Sequence, residues 1–115
     1  MPRFISIVRW KPETFRALIE RWKMVVEGKA PKEVMDAVAK MKILSFEVSL
    51  GNQCVFEVFE VDDMMTSDIM SYYISDVCEE ETYPVVPLEE AWKIVEIIPK
   101  ETFLQADQPE KYNDK

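Results

Sequence analysis

Two alternating runs, ILSFEVSL (43–50) and QCVFEVFEV (53–61), flank Gly51-Asn52 and constrain the chain more than anything else in it. Period-2 alternation on both sides of a glycine–asparagine pair predicts a β-hairpin. Its register decides which side chains share a face, because a one-residue slip carries every side chain across the sheet. A two-residue loop at Gly51-Asn52 would place Glu57 with Leu44, Phe46 and Val48. A three-residue loop that takes in Leu50 would place it with Ser45, Glu47 and Ser49. The second register separates apolar from polar positions better and is the one expected, with Leu44, Phe46, Val48, Phe56 and Val58 facing the helices.

The remaining elements follow from periodicity. FISIVRW (4–10) reads as a strand with Phe4, Ser6, Val8 and Trp10 on one face and Ile5, Ile7 and Arg9 on the other. Lys11-Pro12 ends it, and proline is well suited to a first helical position, where no N–H is needed. Phe15, Leu18, Ile19, Trp22, Val25 and Val26 recur at helical spacing up to Gly28, a natural stop. A shorter helical pattern runs from Pro31 to Met41. Asp62-Asp63 should cap a helix that reaches about Cys78, with Met70, Tyr73, Ile74 and Val77 turned inward. Glu79 to Glu81 reads as an acidic break, TYPVVP (82–87) as an edge strand because of its prolines, and Leu88 to Val95 as a short helix or a strand. The fold class expected is α+β: a ferredoxin-like βαββαβ antiparallel sheet with helices on one face. Residues 1–100 form one domain on this reading, and 101–115 a polar tail.

The composition excludes several functions. The chain has 115 residues and no histidine, which removes His-based triads and proximal-histidine haem ligation. Gly28 and Gly51 are its only glycines, too few for a phosphate-cradling loop. Cys54 and Cys78 read as free thiols rather than zinc ligands. Asp62, Asp63 and Asp68 are explained by helix capping, so no metal site and no cofactor is expected. Net charge is −8, and the halves differ: residues 1–42 carry 10 basic and 5 acidic side chains, residues 43–115 carry 4 and 17. Such halves attract each other or a second subunit, and an acidic chain is a poor partner for nucleic acid. No run is apolar for the roughly 18 residues a membrane span needs, and the start of the chain is too short in apolar residues for a signal peptide. A cytoplasmic protein is therefore expected.

Glu57 is the first candidate for chemistry. With Glu57 opposite the helices, the uncovered sheet face would hold Ser6, Val8, Trp10, Ser45, Glu47, Val55 and Phe59 beside it. An apolar cup with a few convergent polar groups has the composition of a small-molecule site. Glu57 would be its acid–base group, Ser6, Ser45 and Glu47 its polar anchors, Trp10 and Phe59 its walls. A glutamate that alternates with apolar residues more commonly just faces water, and that reading stands beside the first.

The strand ending in Lys11-Pro12 ahead of an amphipathic helix resembles the start of the dimeric α+β barrel superfamily. Phe56-Glu57-Val58-Phe59-Glu60-Val61-Asp62-Asp63, followed one helix later by Pro84-Val85-Val86, is similar to a short branch of unknown function within it. The resemblance spans about residues 3 to 91. It implies a homodimer in which two sheets close face to face, and it supplies no catalytic residues. Enzymatic relatives in the wider superfamily, small cofactor-independent monooxygenases and isomerases among them, often rely on a histidine that this chain lacks. The function expected is binding of a small apolar or aromatic molecule. The alternatives are a non-catalytic dimerisation module with a filled interior, or a monooxygenase- or isomerase-like enzyme.

Overall fold

A computed structural model describes residues 1–97. The elements are β1 (Arg3–Arg9), α1 (Pro12–Val26), α2 (Lys32–Ala39), β2 (Lys42–Ser49), β3 (Cys54–Glu60), α3 (Met64–Ile74), β4 (Glu79–Val85) and α4 (Leu88–Ile97). The fold is α+β, with a four-stranded antiparallel sheet in the order β2-β3-β1-β4 and four helices. The sheet is open. The chain divides into two compact units at Val85/Val86, so α4 belongs to the second unit and the other seven elements to the first. The polar tail expected from Glu101 lies outside the described residues.

Local chemistry accounts for the helix ends. Pro12 opens α1, where Thr14 accepts a hydrogen bond from the Lys11 N–H and donates one to its carbonyl. Gly28, at φ 72°, closes that helix: its N–H donates to the Val25 carbonyl and that of Lys29 to the Met24 carbonyl. This is the Schellman closure, and its left-handed residue is favoured as glycine. Asp63 caps α3, accepting from the Thr66 N–H at 2.8 Å and from its hydroxyl at 3.0 Å. These two bonds hold the Asp63 carboxyl below its usual range.

The core joins one sheet face to the helices. Val8 of β1 and Trp10 just after it, Val55 of β3, Leu18 of α1, Ile74 of α3 and Val77 in the turn that follows form one buried cluster. Trp10 stacks on Phe15 at 4.8 Å, and Phe59 on Phe4 at 5.7 Å. Between α1 and α3, Arg21 grips Asp76 through two bonds of 2.9 Å and lies 5.5 Å from the Tyr73 ring centre. The pairs Arg3–Glu60, Arg9–Glu81 and Arg21–Asp76 each join the basic first part of the chain to its acidic remainder. The uneven charge thus serves internal pairing.

Two expectations are corrected. Glu79, Glu80 and Glu81 are not a break: they are the first three residues of β4, paired with Arg9, Val8 and Ile7. The hairpin register is also the other one. Phe46 pairs with Glu57, Val48 with Val55 and Ser49 with Cys54, around a four-residue loop, 50–53, with Gln53 at φ 54°. A four-residue loop preserves the parity of a two-residue one, so Glu57 lies with Phe46 and Val48. Leu44 is the extra residue of a β-bulge between Ile43 and Ser45. The face that carries Ser6, Val8, Val55, Glu57 and Phe59 is the one the helices cover. Ile5, Ile7, Phe56 and Val58 lie on the open face.

Candidate functional site

Glu57 sits at the centre of β3 on the helix side, across from Ser6 on one neighbour and Phe46 on the other. Its carboxyl opens into a cavity of about 410 Å³ between sheet and helices. The floor is Val8, Phe46 and Glu57; Trp22 and Val25 of α1, Val38 of α2, and Met70 and Ile74 of α3 close over it. Trp22 meets Phe46 edge to face at 5.3 Å, joining α1 to the outer strand of the sheet. The gap exists because Glu57 stands in a row of core positions, where its neighbours along the strand, Val55 and Phe59, are fully buried.

Glu80 is the second polar group of the lining. It lies opposite Val8 on the far side of β1, and Glu57 opposite Ser6 on the near side, so both project from the same sheet face, offset by one same-face step. Oε1 of Glu80 is buried and has no hydrogen-bond partner among the described residues. Removal from water, and secondarily the nearby Glu80 charge, push the Glu57 carboxyl up to about 7. A group poised there can take or give a proton near neutral pH. Among the described residues no group of three or more Cys, Asp or Glu is arranged to hold a metal ion. The two cavity carboxylates, set in apolar walls, are too few oxygens for a hard cation.

The other residues singled out in the sequence are dispersed. Ser6 is fully buried and its hydroxyl pairs with that of Thr82 at 2.7 Å. Trp10 and Phe59 are packed in the core by their aromatic partners and do not line the cavity. Ser45 pairs with Val58 and Glu47 with Phe56, which puts both on the opposite face from Glu57. The reading that grouped them with Glu57 is corrected: the group rested on the three-residue loop. Glu80, Trp22, Met70 and Ile74 were missed as site residues. The available signal was the Glu79-Glu80-Glu81 triplet, whose middle member turns inward once the triplet is taken as strand.

Cys54 and Cys78 are free thiols. Burial, then the charges of Glu80 and Asp76, push the Cys78 thiol up to about 11, so it stays protonated and weakly nucleophilic at neutral pH.

Fold and site together define a small α+β protein whose helix-covered sheet floors an apolar, partly open pocket with two carboxylates. The chain belongs to the family described as "Domain of unknown function (DUF3303)", which matches residues 2–97. No curated protein matches the chain. No helix among the described residues is long and apolar enough to cross a membrane.

Proposed function

We propose that this protein binds a small apolar or aromatic molecule in the cavity over Glu57. The observation that carries the reading is the cavity itself, about 410 Å³ with mainly apolar walls, against the roughly 300–1,000 Å³ of ligand sites in general. A filled interior, the mark of a pure interaction module, is disfavoured by that volume. The location differs from the sheet cup expected from the sequence: the pocket lies beneath the helices. The test is a thermal-shift and calorimetric screen of naphthyl and indolyl compounds against the native chain and Phe46→Trp. Binding that Phe46→Trp weakens tenfold or more supports the reading, since the larger side chain fills the floor. Equal affinity in both proteins sinks it.

A second reading, conversion of the ligand rather than its retention, is favoured by one observation. Glu57 is held to about 7, where a carboxyl can act as general acid or base without a cofactor. In this reading Glu57 moves a proton on a bound apolar substrate.

The antiparallel order β2-β3-β1-β4 supports a ferredoxin-like reading of the Met1–Val85 unit, with a second copy closing on the open sheet face. That face has an apolar centre of Ile5, Ile7, Phe56 and Val58, flanked by the ion pairs Arg3–Glu60 and Arg9–Glu81. An apolar core with a charged rim is the anatomy of a protein interface. We therefore read the working form as a homodimer in which each copy keeps its own helix-side cavity.

A further inference from the structure

The geometry points to a lipophilic ammonium compound as the occupant of the cavity: an aryl or alkyl body bearing one protonated amine held by Glu57 and Glu80. The inference rests on the reading of the cavity as a ligand site and adds the chemical class of the ligand.

Three features carry it. First, among the described residues the ionisable side chains in the lining are two carboxylates, and no lysine or arginine contributes to it. On α1, Arg21 is committed to Asp76 and to the Tyr73 carbonyl. Of the elements that pack over Glu57, α1 brings Trp22, Val25 and Val26, α2 brings Val38, and α3 brings Met70 and Ile74, all uncharged. The remaining charged group that faces it is Glu80 of β4. Second, one oxygen of Glu80 is buried with no partner among the described residues. Such an oxygen costs free energy unless a donor reaches it. An ammonium group carries three N–H donors and no acceptor, so it satisfies acceptor-only oxygens without leaving a lone pair of its own to pair. Third, Trp22 and Phe46 meet beside Glu57, and a cation near such rings gains from their negative faces.

Rival ligands fit less well. A carboxylate or phosphate would meet carboxylates with no lysine or arginine in the lining to offset its charge. A neutral hydrocarbon would leave Glu80 Oε1 unpaired. A divalent metal needs about six oxygens, and the apolar walls offer none beyond the two carboxyl groups.

The test compares three probes with one body and different heads: 2-(1-naphthyl)ethylamine, 2-(1-naphthyl)ethanol and 1-naphthylacetate. Each is titrated calorimetrically into the full chain at pH 6 and pH 8. At pH 8 the amine should bind at least tenfold more tightly than the alcohol, and the acid should bind least. Because the amine needs ionised Glu57, whose carboxyl titrates at about 7, its affinity should rise roughly tenfold between pH 6 and pH 8. The alcohol should show no such rise. Glu57→Gln should abolish the pH dependence and the amine's advantage while keeping alcohol binding. Glu80→Gln should reduce the advantage and keep the pH dependence. Alcohol binding equal to or tighter than amine binding overturns this inference and leaves the pocket reading intact. Binding by none of the three at millimolar concentration overturns both.

Discussion

Through its burial, Glu57 ties the stability of this protein to pH. Its folded carboxyl titrates at about 7 rather than at the ordinary 4.5, so between those values the folded state binds a proton that the unfolded state has released. Stability attributable to this residue is therefore undiminished below about pH 4.5 and falls as pH rises through 7. The full difference is worth about 3 kcal/mol at alkaline pH. Glu57→Gln should remove that cost. Urea unfolding at pH 5 and pH 8 should show the variant gaining on the native chain by roughly 2–3 kcal/mol over that interval. A constant gap would mean that Glu57 is solvated. This behaviour was not legible in FEVFEV, because the same alternation serves a wet glutamate and a buried one. What distinguishes them is which side the helices take.

At the scale of elements, the starts of α1 and α3 and the close of α1 were the most legible part of the chain. By contrast, α3 ends at Ile74, short of the Cys78 expected, and continues as a turn in which the Val77 N–H donates to the Ile74 carbonyl. Pro12, Gly28 and Asp63 act through their own backbone or through a residue three positions away, so their roles were readable from local sequence. Gly28 gives the sharpest check. It lies at φ 72° with open space around the position of a Cβ, so Gly28→Ala meets no neighbouring atom and its cost is the strain of a left-handed backbone on a residue with a Cβ. We expect a loss of about 1 kcal/mol, read as a lower urea midpoint with an unchanged slope. No loss would mean that the α1 terminus reorganises without cost. The hairpin was legible as a hairpin and illegible in register. Leu50 to Gln53 form a four-residue loop, and the Leu44 bulge shifts the pairing again near the far end of β2. Neither has a unique sequence signature, since Gly51-Asn52 suits several loop lengths. The Glu79–Glu81 stretch illustrates the opposite failure. Strand propensity is weak for glutamate, and pairing with β1 overrode it.

For the whole molecule, the open sheet face is where the proposed second copy would sit. Phe56 stands on it 40% exposed, with Ile5, Ile7 and Val58 around it. If a second copy covers this face, the native chain should sediment at micromolar concentration with twice the 13.5 kDa monomer mass. Phe56→Glu, which places a charge at the centre of the apolar patch, should sediment as the monomer with its circular dichroism unchanged. A native chain that runs only as monomer would refute the dimer, and the cavity on the other face would be unaffected.

The sequence by itself determined the number and type of the elements up to Val85 and the signals that start α1 and α3 and close α1. These depend on period, on turn chemistry and on contacts within a few residues. Ser6, Val8 and Trp10, by contrast, were joined to Glu57 only by supposing that Ile5 and Ile7 face the helices, which they do not. Only the tertiary structure decided which face the helices cover. Both faces of the sheet carry apolar residues, so hydrophobic pattern does not choose between them. The choice was made by long-range packing, in which Val8 and Val55 of neighbouring strands bury against Leu18, Ile74 and Val77 of the helical layer, residues mostly far from them in the chain. That choice turned Glu57 from the open sheet to the roof of helices. It brought Glu80 in from a strand the sequence disguised, and it left Ser45 and Glu47 on the far side.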